Sequence, residues 1–341
     1  MANSPIPAEV AFDRYLRTHT PYRGKQDLER LSQVELRSLL GLIQQAFTLA
    51  LANEKQDVPE HVDHLPIHFD FIDSDSPNAH AFCDEAHAYA YIGVTMSLVY
   101  QLGEVSVAIS RSEEVTDLLN VPMTVAVRDG LHAMLFQTLW TFVAGHEYAH
   151  IVHGHSQQRG ERSVTFSEFQ DKDEIGDLDD QIMELDADGY GGVYHVLSNL
   201  FRDDARKHAL SALQIDAKTE GYQDEVLLCC FVVAVGGFLF ARPPVDVKTA
   251  DVYKLTHPPQ LVRLNYIMEH AIGWCRQNRP ALVGWMTPPR FRMLMQPVAS
   301  AIWGPRGGES WKNQIAFLES EPGKEYVRKL GENLRAYVGA L

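Results

Sequence analysis

Val226 to Ala241 reads VLLCCFVVAVGGFLFA, sixteen consecutive residues without a charged side chain. A helix apolar all round has to be covered on every side, by protein or by lipid. A membrane span wants about 20 such residues, and Glu225 and Arg242 bracket this run closely. The run is therefore expected to be a buried core helix, with a membrane anchor as the alternative. The 341 residues fit one large domain or two smaller ones, enough to bury a sizeable core. At 45% hydrophobic and 22% charged residues, the composition is that of an ordinary folded chain.

Thirty Lys and Arg against 45 Asp and Glu leave a net charge of -15, which would repel nucleic-acid phosphates. No nucleic-acid partner is expected. Cys83, Cys229, Cys230 and Cys275 are scattered and form no CxxC pair. That excludes a disulfide framework and a thiolate zinc site. The first residues, MANSPIP, lack the basic and apolar regions of a secretory signal, so the reducing cytoplasm is the expected setting.

The pattern along the chain predicts an α+β fold that is mostly α-helical, in three regions: a helical one over 1–60, a core over 61–270, and a helical one over 271–341. The first 25 residues read as an irregular arm. Ser32 and Glu35 have the spacing of a capping box, and Leu36, Leu39, Leu40, Ile43 and Phe47 follow at helical spacing. Alternation at Ile67, Phe69 and Phe71, then Ala79–Phe82 and Tyr89–Ile92, predicts a small antiparallel sheet. From Asp129, read as an N-cap, a largely apolar helix runs on to position 150. The acidic segment 157–180 reads as a solvated loop or lid, and another helix is predicted from about Asp180 to Leu200.

The apolar helix closes on His146-Glu147-Tyr148-Ala149-His150, an HExxH motif. Residues i and i+4 share a helix face, so two imidazoles can converge on one metal ion. The intervening glutamate lies beside the ion, where it can take a proton from metal-bound water. A third ligand is required. His153 shares the face, but seven residues of helix rise about 10.5 Å, too far for three ligands to reach one ion at about 2 Å. A metzincin would need Gly at 153 and His at 156, where this chain has His153 and Ser156. Glu184 is the better candidate. Asp188, one turn further along the same predicted helix, can accept the outer N–H of a ligand histidine. The bland alternative for Glu184 and Asp188 is a solvated helix face.

HExxH followed by Glu184-Leu185-Asp186-Ala187-Asp188 resembles the gluzincin zinc metallopeptidases, in particular the group of HtpX and the CAAX prenyl proteases. Ser76-Pro77-Asn78-Ala79-His80-Ala81-Phe82 is similar to that group's edge-strand motif, with His80 replacing the usual Phe. Thr256-His257-Pro258-Pro259, with Arg263 beyond, is similar to its Thr-His-Pro-x-x-x-x-Arg segment. His155 stands where the group often has histidine. The arrangement also resembles the intracellular phage-exclusion peptidases.

The resemblance implies a zincin-like core with the small sheet beside the HExxH helix, and one Zn2+ per chain on His146, His150 and Glu184. It implies Glu147 as general base, His257 as oxyanion donor and Arg263 as an electrostatic or structural aid. Asn78, Ala79, His80, Ala81 and Phe82 would bind an extended protein or peptide substrate. The expected activity is metal-assisted peptide hydrolysis. The alternatives are a phage-defence or regulatory protease with one intracellular target, and an inactive zinc-stabilised binding protein.

Overall fold

The apolar run lies in the helix Glu220–Ala241, and every residue from Val226 to Phe240 is buried. By length and composition this helix could cross a membrane, yet 89% of its apolar window is covered by the protein's own side chains. It is a core helix. Its Cys229 thiol is pushed up to about 12 and Cys230 is raised well above the usual thiol range, both chiefly by burial. Burial likewise lifts Cys275 to about 11, and none of the four cysteines is in a disulfide. These thiols are poor nucleophiles.

The computed structural model describes residues 6–18, 22–54, 66–84, 89–121, 124–155, 176–248, 250–304 and 307–339. In chain order the helices are α1 (Ala8–Thr18), α2 (Val34–Glu54), α3 (Met96–Arg111), α4 (Glu113–Leu119) and α5 (Val125–Val152). They continue with α6 (Leu178–Ala187), α7 (His195–Leu200), α8 (Asp203–Ala212), α9 (Glu220–Ala241) and α10 (Gln260–Asn278). The last are α11 (Pro288–Trp303), α12 (Gly307–Glu319) and α13 (Glu321–Val338). With strands β1 (Ile67–Ile72), β2 (Ala79–Asp84) and β3 (Tyr89–Thr95), the fold is α+β and mostly α. Two compact units result, residues 1–100 with 147–170, and residues 101–146 with 171–341; α5 contributes to both.

In the first unit the sheet is mixed, not antiparallel. Its order is β1-β3-β2, with β3 parallel to β1 and antiparallel to β2. Alternation of apolar residues reports which face is buried and carries no information on strand direction. The described residues among the first 25 do not form an irregular arm either. Ala11, Phe12 and Leu16 of α1 pack into a cluster with Ile72, Phe82 and Tyr91, and the Tyr15 and Phe82 rings stack 4.1 Å apart. Lys25 then bridges to Ile72 and pairs with the buried Asp70 at 2.8 Å.

Two helix starts move. The first bond of α2 runs from Arg37 N–H to the Gln33 carbonyl, one residue beyond the predicted Ser32 cap; the Glu35 side chain lies outside the described residues. Helix α5 starts at Val125, where Thr124 Oγ1 accepts from the Val127 N–H at 3.2 Å, so Asp129 lies inside it. Most of the predicted acidic loop, residues 157–175, lies outside the described residues.

In the second unit α9 is wrapped chiefly by α11, with α10, α4 and α7 also against it. Ile182 and Leu185 of α6 form a cluster with Val262 and Tyr266 of α10 and Tyr326, Leu330 and Leu334 of α13. That packing fixes α6 against α10, the two helices that carry Glu184 and Arg263.

Candidate metal centre

Helix α6 begins at an Asp177 capping box, with Asp177 accepting from the Asp180 N–H and Asp180 from the Asp177 N–H. It continues without a break into a π-helical turn, Asp188–Tyr194, and then α7. Such insertions are frequent at functional sites. The sequence here, Asp188-Gly189-Tyr190-Gly191-Gly192, gives α5 room for close approach. A Cβ on Gly145, the residue before His146, would lie 2.2 Å from the Gly191 carbonyl oxygen. A Cβ on Gly192 would meet the Phe142 ring at 2.6 Å. Glycine at these positions sets the distance between the HExxH helix and the helix of Glu184 and Asp188.

Gly145→Ala ordinarily strengthens a helix by roughly 0.5–1 kcal/mol. Here it forces two backbones apart, and overpacking of this kind costs about 1–3 kcal/mol or more. A lower urea midpoint is expected for the variant; a raised one would show that α5 does not approach this closely.

His146, Glu147, His150, Glu184 and Asp188 are all buried. His146 Nδ1 lies 3.0 Å from Asp188 Oδ1. Arg263 donates to the same carboxylate twice, Nε to Oδ2 at 2.6 Å and Nη2 to Oδ1 at 2.7 Å. An acceptor-only carboxylate requires the proton on His146 Nδ1, which leaves the Nε2 lone pair pointing away. His146 Nε2 is 3.3 Å from Glu184 Oε2. A nitrogen lone pair and a carboxylate oxygen thus face one another in a buried place, an arrangement that a cation stabilises. His150 follows one turn along α5, and the ligand atoms of His146, His150 and Glu184 come within 4.8 Å of one another.

His150 Nδ1 is 2.7 Å from His155 Nδ1, so one imidazole donates to the other. With His150 as donor, its Nε2 keeps a lone pair for a metal. His153, His155 and Asp186 form a second group of ligand atoms within 4.8 Å.

His257 Nε2 is 2.9 Å from Glu184 Oε2, at ion-pair distance but off the line of a hydrogen bond. Thr256 Oγ1 lies 3.0 Å from its Nδ1. Burial lowers the His257 pKa, with the Arg242 and Arg263 charges acting the same way against Glu184. Arg263 meets the site through Asp188, as a clamp on the carboxylate that orients His146. In the other unit, Asn78 precedes β2, and Ala79, His80, Ala81 and Phe82 lie within it at the edge of the sheet, all of them buried. The Tyr22 hydroxyl is hydrogen-bonded to the His80 ring.

Gln181 carries a positioning role that the sequence does not announce. Its buried amide donates to the Val252 and Leu255 carbonyls at 2.8 and 2.7 Å, and its oxygen accepts from the Tyr326 hydroxyl. The loop that leads to His257 is thereby tied to the helix turn that precedes Glu184. The only sequence signal is a glutamine among apolar neighbours on a helix.

Zinc suits this donor set: two imidazole nitrogens and one carboxylate oxygen, with a further carboxylate behind one imidazole. The chain matches no family model, no curated protein and no solved structure.

Proposed function

We propose that this chain is a zinc-dependent endopeptidase of the gluzincin type that hydrolyses peptide bonds of protein substrates in the cytoplasm. The observation that carries the reading is His146, held by Asp188 on one nitrogen and facing Glu184 with the other, one turn before His150 on the same helix. His146, His150 and Glu184 would hold the ion. Bound zinc would lower the pKa of a coordinated water toward about 7 and polarise the substrate carbonyl.

The chain's own residues supply the rest. Glu147, on α5 between the two histidines, accepts a proton at its carboxylate and returns it to the leaving amine. His257 donates from a ring N–H to the carbonyl oxygen as negative charge builds there, the role that the resemblance gives it. Asp188 and Arg263 hold His146 in one tautomer.

Metal analysis of the purified chain, paired with a search for new N-termini in a proteome exposed to it, tests the reading. About one zinc per chain is expected, together with cleavage that a chelator stops and added zinc restores. Zinc-free protein that still cleaves, or a zinc-loaded chain that generates no new N-termini, would overturn it.

A further inference from the structure

A cavity of about 270 Å³ opens between α9, α10, α11 and α12, in the second unit. Its wall is apolar and aromatic, with Met268, Ile272, Trp285, Phe291, Leu294 and Trp311 among its lining side chains. Polar groups converge on it from Asn265, Glu269, Arg292 and Glu319. Arg292 Nη2 lies 3.4 Å from Glu319 Oε1, which neutralises that pair and leaves the Glu269 carboxylate as the uncompensated charge of the lining. Arg290 covers the Trp285 ring, its guanidinium carbon 5.4 Å from the ring centre, and does not line the cavity.

An apolar cavity with a few convergent polar groups is the usual form of a small-ligand site, and at about 270 Å³ this one is at the small end. A cavity of about 150 Å³ accepts the six carbons of benzene, so this one takes an apolar group of about ten carbons. The negative charge of the lining and the aromatic walls select a cationic head over an anionic one. We propose that the cavity binds a small amphipathic cation, an alkyl or aryl amine of about ten carbons, with its tail among the Met and Trp side chains and its ammonium at Glu269. The site is independent of the metal reading, since none of its lining side chains is a proposed metal ligand.

Decyltrimethylammonium and decanoate share a tail and differ in the sign of the head. Each is titrated into the full chain below its micelle concentration, with binding followed calorimetrically and by the fluorescence of Trp285 and Trp311. One equivalent of the cation is expected to bind, about fivefold or more tighter than decanoate. Glu269 is exposed, so Glu269→Lys leaves the fold intact and is expected to reverse that ranking. Asn265→Trp, at another exposed lining position, should block both probes. Absence of binding, equal affinity for the two heads, a ranking that survives Glu269→Lys, or binding unaffected by Asn265→Trp would each overturn the proposal.

Discussion

Glu147→Gln is expected to keep the zinc content of the parent chain and to slow peptide cleavage by about 10²–10⁴-fold, the range of general acid–base catalysis. The reason is local. Glutamine matches glutamate in shape, so the buried helix turn between His146 and His150 repacks little, and neither histidine loses its partner. What disappears is a carboxylate able to carry a proton from the attacking water to the leaving amine. The check is kcat on a peptide spanning an identified cleavage site, measured beside the zinc content of the same preparation. Loss of zinc in this variant would make Glu147 part of the metal cradle. Undiminished cleavage would contradict its role as base.

Glu184→Ala produces the second large effect, on binding instead of turnover. Removing a direct ligand is expected to weaken zinc affinity by more than the roughly 10–100-fold that outer-shell changes cost. It also takes away the carboxylate that faces both His146 Nε2 and His257 Nε2. His153→Ala is the matched control, because His153 belongs to the other group of potential ligand atoms, with His155 and Asp186. Its zinc affinity should stay within a few-fold of the parent. A competition titration against a chelator of known affinity ranks the two variants. If His153→Ala loses more than Glu184→Ala, the ion sits on the second group and the assignment of the third ligand is wrong.

How far the sequence speaks for itself differs from element to element. The apolar helix was legible because sixteen uncharged residues leave no polar face to expose. The three strands were legible from alternation, yet their mixed pairing was not, since strand direction is decided by which strand inserts between the other two. Helix α1 carried a signal in the i, i+4 spacing of Ala11 with Tyr15 and Phe12 with Leu16, but a short amphipathic stretch gains its stability only from the sheet it packs on. The helix caps slipped by one residue at α2 and by five at α5, where Thr124 caps the Val127 N–H in place of Asp129, although Ser32 and Asp129 are good caps by residue type.

At the centre, the spacing of His146 with His150, and of Glu184 with Asp188, was readable as two helix faces. The close crossing that Gly145 and Gly191 permit was not, and neither was the way Gln181 ties the His257 loop to α6. Those depend on which helices meet, and no periodicity within one helix encodes that.

The most direct measurement is zinc K-edge X-ray absorption on the full chain loaded with one equivalent of zinc, taken at neutral pH. A first shell of nitrogen and oxygen at about 2.0–2.1 Å is expected, with the outer-shell scattering of two imidazoles. The Glu184→Ala variant, loaded to the same level, should lose an oxygen scatterer and keep both imidazoles. A sulfur shell near 2.3 Å, or a shell with no imidazole scattering, would contradict the claim that His146, His150 and Glu184 share one ion.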